Sequence, residues 1–336
     1  MADEVEYFLE GVTSPVHRFK LGERTIEYWA PETATDRILI AHDGQCIFDP
    51  RTAKKSTTWE LVQNSIKVSK ELNVTPPLII GIWHQGQVGD SVARGLDLSP
   101  DSYFKSGIPL FPKNGPFDVN ATKGDQYLSE IFTSYLPEVL GRTNATYLAE
   151  KTAMIGASRG ALSTLYALKN HSGSFHTALA HSTHWTIGKY PLVELTIAGL
   201  PEPGVHKIWM AHGTEGFDSE YGEFQDHANK LLLEKGYSFN HFVAFLFLGY
   251  KDHWFATLYK LPSTLTRFNN YMGEVLTKCL AFAGLVSTLM WIFIHNSEYY
   301  RSVHSAPIIY TILIGGCFVI IYRWNKSEYN LYLQRN

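Results

Sequence analysis

Cysteine and charge are both scarce in this sequence, and each scarcity excludes a class of protein. The 336 residues hold three cysteines, and Cys279 and Cys317 lie inside apolar runs, which excludes a disulfide-stapled scaffold. Cys46 belongs to no CxxC pair, so the sequence does not indicate a zinc or dithiol site. Charged residues make up 18% and hydrophobic residues 45%, which excludes a disordered chain. The net charge of −3 argues against the basic face of a nucleic-acid-binding protein.

The N-terminus lacks the features of a secretory signal peptide, because MADEVEYFLEG is acidic where such a peptide is basic and then apolar. The C-terminal part, in contrast, holds two uncharged apolar runs within 276–295 and 306–322. Each run is near the lower limit of the roughly 17–25 residues that a membrane-spanning helix needs. We therefore expect residues 271–336 to form a transmembrane helical hairpin with a short polar tail. A pair of buried helices in a soluble core is the alternative.

The distribution of basic residues predicts the orientation of this hairpin. Lysines and arginines flank both apolar runs, whereas the loop between the runs holds a single arginine, Arg301. The positive-inside rule then places both ends of the hairpin in the cytoplasm. Asn-x-Ser/Thr sequons, such as the one at Asn73, keep the opposite orientation open. The expected localisation is a membrane crossed twice, with residues 1–270 as a cytoplasmic domain.

Residues 1–270 alternate between short apolar runs and amphipathic stretches. Several runs, such as ILIA and LIIGIW, are continuously apolar, which is typical of strands covered on both faces. The predicted strands are Val16–Leu21, Thr25–Ala30, Arg37–His42, Leu78–Trp83, Thr152–Gly156, Thr177–His181, Lys207–His212 and Phe242–Leu248. The predicted helices are Ser56–Leu72, Gly124–Leu140, Arg159–Asn170 and Ser219–Lys235. The alternation predicts an α/β domain whose mostly parallel central sheet is flanked by helices.

One connection, Asp97–Lys123, is longer than an ordinary loop and is rich in proline, glycine and aspartate. Aromatic residues are interspersed along it. The connection is either a lid or binding loop or a decorated surface loop, and the sequence alone leaves both interpretations open.

Gly156, Ser158 and Gly160 form a GxSxG pentapeptide between a predicted strand and a predicted helix. A strand, a sharp turn and a helix are what a nucleophile elbow requires, because small residues let the backbone turn tightly and expose the serine hydroxyl. The N-terminus of the following helix lies near the negative charge that develops in the reaction. The pattern predicts Ser158 as a nucleophile, and a structural strand-to-helix turn is the alternative.

A nucleophilic serine needs a base, usually histidine, and an acid that orients the base. His253 lies just beyond the last predicted strand, where the base is expected, and is the predicted base. His184 is its main competitor, because it follows the strand after the elbow. The acid is expected after the strand KIWMAH, where Asp218 is preferred over Glu215. Asp218 is also in place to cap the helix that follows it.

The reaction also needs backbone donors that stabilise the oxyanion of the tetrahedral intermediate. The N–H of Arg159, directly after the nucleophile, is predicted to be one of them. The N–H of Gln45, in the turn after the strand ILIAH, is predicted to be the other, and a plain Asp-Gly turn is the alternative. His184 and Trp185 are candidates for the wall of a substrate pocket.

These segments together resemble the esterase family of α/β-hydrolases that includes esterase D, enterochelin-type esterases, feruloyl esterases and mycolyltransferases. The likeness covers about residues 25–267 and rests on ILIAHDGQCIFD, LIIGIWHQG, RGLDLSP, KTAMIGASRGALSTLYALKNHSGSFHTALAHSTHW, HGTEGFDSEYGEFQ and GYKDHWFATLY. The sequence departs from the family where Ala161 follows Gly160, since the family often has a second glycine there. The C-terminal hairpin is not part of the family pattern.

The resemblance implies an α/β-hydrolase fold with a triad of Ser158, Asp218 and His253 and an oxyanion hole at Gln45 and Arg159. The expected function is a membrane-anchored serine esterase that hydrolyses a carboxylic ester or thioester through an acyl-enzyme. Such a reaction needs no metal or organic cofactor. The expected partners are a small-molecule or lipid-like ester and a membrane, without nucleic acid, and a homo-oligomer stays open.

Two other functions use the same sequence features. An acyltransferase would use the same triad with an acceptor alcohol in place of water. In a membrane-anchored effector or binding module, the hairpin would oligomerise and the hydrolase-like domain would regulate it.

Overall fold

The computed structural model describes residues 4–53, 56–86, 89–112, 117–238 and 242–247. The strands in these residues are β1 Val5–Tyr7, β2 Val16–Leu21, β3 Arg24–Trp29, β4 Ile38–His42, β5 Leu78–Ile82, β6 Thr152–Ala157, β7 Thr177–His181, β8 Lys207–Gly213 and β9 Phe242–Phe247. The α-helices are α1 Leu61–Glu71, α2 Ser91–Asp97, α3 Asp101–Phe104, α4 Gly124–Glu130, α5 Leu136–Gly141, α6 Arg159–Asn170, α7 Lys189–Gly199 and α8 Gly222–Glu234. One π turn, Ile131–Tyr135, joins α4 to α5.

Within the described residues the strands form one mixed sheet in the order β1-β2-β3-β5-β4-β6-β7-β8-β9. From β5 onward along this order the neighbouring strands pair in parallel, whereas β1, β2 and β3 pair antiparallel and β3 joins β5 antiparallel. β1 lies at one edge of the sheet, with Val5 and Glu6 exposed. The predicted α/β architecture with a mostly parallel sheet is confirmed.

The strands at the centre of the sheet are buried along their whole length. Every residue of β4 and of β5 is buried, as the continuous apolar runs ILIA and LIIGI predict for strands covered on both faces. Helix α6 packs against β6 and β7, and nearly all of its residues after Arg159 are buried. The rigid centre of the sheet therefore supports the turns at the carboxyl ends of β4, β6, β7 and β8.

Helix α2 is tied to the sheet by a buried ion pair. Arg24 on β3 donates a hydrogen bond of 2.5 Å to Asp97, the last residue of α2, and another of 3.0 Å to the carbonyl of Trp83. Asp97 also accepts a 2.6 Å hydrogen bond from the backbone N–H of Gln85. Burial alone would lower the pKa of Arg24, but the hydrogen bond and charge of Asp97 outweigh it and raise that pKa. The start of the Asp97–Lys123 connection is thus anchored in the domain rather than loose at its surface.

The predicted membrane hairpin falls outside the described residues, together with the domain boundary after residue 270. Among the residues that the structure describes, no helix combines the length and the apolar character needed to cross a membrane. The hairpin, its orientation and the membrane localisation stay predictions.

The buried ion pair gives a first testable prediction. Replacing Arg24 with Met leaves the Asp97 carboxylate buried without its cation, which lowers the free energy of unfolding by about 3–5 kcal/mol. The matched control is Lys151→Met, because the ion pair of Lys151 with Asp36 is exposed and its loss has a far smaller effect. Urea denaturation of the three proteins measures the difference. Equal stability of the two variants would contradict the anchoring role of Arg24.

Candidate active site

Ser158 occupies a sharp turn between β6 and α6, as the GxSxG pattern predicts. Its backbone has φ 55° and ψ −116°, a conformation that residues with a side chain rarely adopt. Three hydrogen bonds hold it there. The N–H of Ser158 donates to the carbonyl of His181 (2.9 Å), and its carbonyl accepts from the N–H of Leu162 (3.2 Å) and of His184 (3.3 Å). The turn is strained, and hydrogen bonds to the backbone of α6 and of the segment at the end of β7 hold it in place.

The two glycines of the pentapeptide allow this turn to contact its surroundings. A Cβ at Gly156 would lie 2.3 Å from the carbonyl oxygen of Gly160 and 2.9 Å from Cδ2 of His42. A Cβ at Gly160 would lie 3.3 Å from Cβ of His42 and 3.4 Å from Oδ2 of Asp43. The absence of side chains at both positions therefore lets the end of β4 lie directly against the elbow.

The turn after β4 has an equally tight backbone. Asp43 has φ 55° and ψ 47°, a left-handed conformation that aspartate tolerates better than most residues. Gly44 follows, and a Cβ there would lie 2.5 Å from the carbonyl carbon of Gly81 and 2.6 Å from the nitrogen of Ile82. Only glycine fits between this turn and β5. The predicted Asp-Gly turn is thus pressed against the sheet beside the elbow.

Both predicted oxyanion donors lie at the start of a helical turn. The first hydrogen bond of the 3₁₀ turn Gly44–Cys46 runs from the N–H of Cys46 to the carbonyl of Asp43 (2.8 Å). The N–H of Gln45 precedes this bond and therefore has no acceptor within the turn. Arg159 is the first residue of α6, and the first N–H groups of a helix have no acceptor within it. The two N–H groups therefore belong to turns that the glycine contacts bring together.

Asp218 lies buried after β8, in a 3₁₀ turn over Gly216–Glu220. Its Oδ2 accepts hydrogen bonds from the hydroxyl of Ser182 (2.7 Å) and from the N–H of Gly213 (2.8 Å). These donors stand at the carboxyl ends of β7 and β8, the same edge of the sheet as the elbow. Glu215, the alternative acid, lies on the same connection but is only half-buried.

The predicted base, His253, lies outside the described residues, so the triad stays a prediction. Its competitor His184 is next to the elbow, since its N–H bonds to Ser158 and its ring packs against Tyr221 with centroids 6.4 Å apart. Trp185 is fully buried in the core and its indole N–H donates to Gln225 (3.1 Å), which favours a structural role over a pocket wall. Among the described residues, no group of three or more His, Cys, Asp or Glu side chains is arranged to hold a metal.

Two other histidines near the site are buried and neutral at pH 7. Burial lowers the pKa of His42 to about 4, although the charge of Asp43 opposes the shift. The ring Nδ1 of His42 lies 2.8 Å from the hydroxyl of Tyr127. Burial also lowers the pKa of His181 to about 3, and its ring packs edge-on against Trp209. Both are enclosed in the interior, and we assign them to the scaffold rather than to proton transfer.

Two side chains at the site were not singled out from the sequence. Tyr221, three residues after Asp218, is buried, and this burial raises its pKa to about 12; the charge of Asp218 adds to the shift, and the nearby side chain of Ser158 opposes it. Arg94, on α2, binds both Asp43 and the carbonyl of Ala157. Arg94 begins the segment RGLDLSP, one of the segments that carry the family resemblance. Its partners are 51 and 63 residues away, so no local pattern reveals the contact.

Comparisons with known proteins support the fold. No protein-family model matches the sequence, and no curated protein matches it. The enterobactin esterase FES from Shigella flexneri has a similar structure (TM-score 0.52, 15% identity), with 76% of this chain and 60% of that chain covered. The BES protein from Bacillus cereus is also similar (TM-score 0.51, 12% identity), and the match covers 78% of this chain and 97% of that chain. The enterobactin and salmochelin hydrolase IroE is similar as well (TM-score 0.50, 16% identity), and the match covers 78% of this chain and 94% of that chain. At these identities the likeness establishes the fold alone.

The elbow gives a second prediction. Replacing Gly156 with Ala forces a methyl group against the backbone of Gly160, which lowers the free energy of unfolding by about 1–3 kcal/mol or more. Gly173→Ala is the control, because a Cβ there meets nothing within 4 Å. Thermal unfolding of both variants measures the effect. A Gly156 variant as stable as the Gly173 variant would show that the turn is looser than its contacts indicate.

Proposed function

We propose that this protein is a serine esterase that cleaves a carboxylic ester through an acyl-enzyme on Ser158. The observation that carries the proposal is the conformation of Ser158, with φ 55° and ψ −116° between a buried strand and a helix. A strained serine at this point of a strand–turn–helix unit is the hallmark of a nucleophile elbow. The fold shared with FES and IroE, whose names describe an esterase and a hydrolase, supports the same reaction class.

In the proposed mechanism the hydroxyl of Ser158 attacks the carbonyl carbon of the ester. His253 takes the hydroxyl proton and then gives it to the departing alkoxide, while Asp218 orients the imidazole and stabilises its charged form. The N–H groups of Gln45 and Arg159 donate to the oxyanion of the tetrahedral intermediate, where the loss of one donor costs about 10²–10³ in rate. Water, which gives a proton to His253, then attacks the acyl carbon; the bond from that carbon to the Ser158 oxygen breaks, His253 returns the proton to this oxygen, and the acid is released.

The choice of Asp218 as the acid is supported by its surroundings. An acid that orients a base needs a fixed carboxylate, and two hydrogen bonds from Ser182 and Gly213 hold Oδ2 of Asp218 in a buried position. The side chain of Glu215 is only half-buried. We keep Asp218 as the proposed acid.

The substrate is proposed only by class. FES was crystallised in the presence of 2,3-dihydroxy-N-benzoyl-glycine. Because the match covers only 60% of that chain, we do not propose this compound as a ligand of the present protein. We propose a small-molecule or lipid-like ester, with the catalytic domain tethered to a membrane by residues 271–336. Thioester cleavage and acyl transfer to an alcohol would use the same residues, and product analysis with competing acceptors separates them.

The third prediction concerns the nucleophile. Wild-type protein cleaves at least one ester in a panel of increasing acyl-chain length, and Ser158→Ala loses this turnover by at least about 10³-fold while its melting temperature is retained. A fluorophosphonate probe labels the wild type and not the variant. Turnover that persists in Ser158→Ala would contradict the proposal, as would a folded wild type that neither turns over nor reacts with the probe.

The fourth prediction separates the two candidate acids by a matched pair of variants. Asp218→Asn removes the negative charge that stabilises the imidazolium of His253, so we expect kcat to fall by about 10⁴-fold. Glu215→Gln removes the neighbouring carboxylate and leaves kcat within about threefold of wild type. The reverse order of the two effects would assign the acid to Glu215.

A further inference from the structure

We propose that Arg94 is a positioning residue that fixes the separation of the two oxyanion donors; the inference rests on the proposed function. One guanidinium contacts both turns of the site. Its Nε donates to Oδ1 of Asp43 (2.6 Å), and its Nη2 donates to Oδ2 of Asp43 (2.8 Å) and to the carbonyl of Ala157 (3.1 Å). Asp43 stands two residues before Gln45, and Ala157 stands two residues before Arg159. Arg94 therefore links equivalent points upstream of each donor.

The chemistry of the link makes it rigid. A bidentate pair between a guanidinium and a carboxylate fixes the mutual orientation of both groups, and lysine cannot reproduce its planar fork. Asp43 is buried, so its carboxylate has little room to take another rotamer. Burial alone would raise the pKa of Asp43, but the charge and hydrogen bonds of Arg94 hold that pKa below its usual value. Both groups are therefore charged at neutral pH.

Arg94 is itself held from several sides through α2. The helix begins with a cap at Asp90, whose Oδ1 accepts from the N–H of Val92 and of Ala93. It ends at Asp97, in the buried pair with Arg24. The side chain of Arg159 connects α6 to the end of α2, because its Nη1 donates to the carbonyl of Gly95 (3.3 Å) and to the hydroxyl of Ser99 (3.1 Å).

Gly95 admits this last contact because it has no side chain. A Cβ at Gly95 would lie 2.7 Å from Nη1 of Arg159. Helix α2 is thus fixed to the sheet at one point and to the elbow helix at another, and Arg94 projects from a stable base.

A positioning role and a purely structural role differ in the kinetic parameter they affect. A looser link lets the two N–H groups drift, and a misplacement of about 1 Å at a catalytic site costs about 10²-fold in rate. The oxyanion forms only in the transition state, so the loss falls on kcat and leaves KM unchanged. A structural role would instead reduce the fraction of folded protein and leave the kcat of the folded fraction unchanged.

The experiment compares Arg94→Met and Arg94→Lys in the full chain, on an ester that the wild type hydrolyses. We expect kcat to fall by about 10²-fold in Arg94→Met with KM within about twofold, and Arg94→Lys to recover part of the loss. The control is Arg51→Met, another arginine after the same turn, whose two side-chain hydrogen bonds both go to Asp49. Its kcat stays within about twofold of wild type.

Each outcome bears on the inference. If Arg94→Met does not fold, Asp43→Asn tests the same link, because it keeps the shape of the side chain and weakens the pairing; kcat then falls with KM retained. Unchanged kcat in the folded Arg94 or Asp43 variant would overturn the inference while the Ser158 result still upheld the proposed function. An inert wild type would overturn both.

Discussion

The direct contact between two turns, the one after β4 and the one after β6, is the constraint on which the rest of the site depends. The turns meet because Gly156 and Gly160 carry no side chains where the elbow approaches His42 and Asp43, and Gly44 lets the turn after β4 lie against β5. A methyl group at Gly44 or Gly156 would meet backbone atoms, which cannot move aside as a flexible side chain can. Three backbone hydrogen bonds hold Ser158 in its strained conformation.

Two ion pairs hold α2 between the turn after β4 and the sheet. The pair of Asp43 with Arg94 joins the turn after β4 to α2, and the pair of Arg24 with Asp97 joins α2 to the sheet. Asp218 is held in a different way, by neutral donors at the ends of β7 and β8. Asp43 and the two donors to Asp218 lie at the carboxyl ends of the parallel strands β4, β7 and β8, where α/β sheets place their ligand sites. The scaffold thus supplies the position, and polar contacts supply the fine orientation.

The sequence predicted those parts of the fold that local pattern determines. Thr177–His181 and Arg159–Asn170 have the predicted bounds, because a continuous apolar run and an amphipathic stretch define them. Helix α1 begins five residues later than the predicted Ser56, since Glu60 has a left-handed φ of 49°. Helix α7 is absent from the predicted helices, although its buried residues Leu192, Val193, Thr196 and Ile197 recur at helical spacing, because the polar Thr196 interrupts the apolar pattern. In the candidate site, the motif predicts the sharp turn at Ser158, whereas the contacts of Arg94 with Asp43 and Ala157 cross the fold and no local pattern reveals them. The catalytic roles of Ser158 and His253 stay predictions.

The sheet edge formed by β1 restricts how a second chain could join this protein. An exposed edge strand offers unpaired N–H and C=O groups to any extended segment that approaches it. β1 spans only three residues, Val5–Tyr7, and the side chain of Glu6 between them is exposed. So short and acidic a rim gives an incoming strand very few hydrogen bonds, which disfavours growth of the sheet from one molecule into the next at this edge.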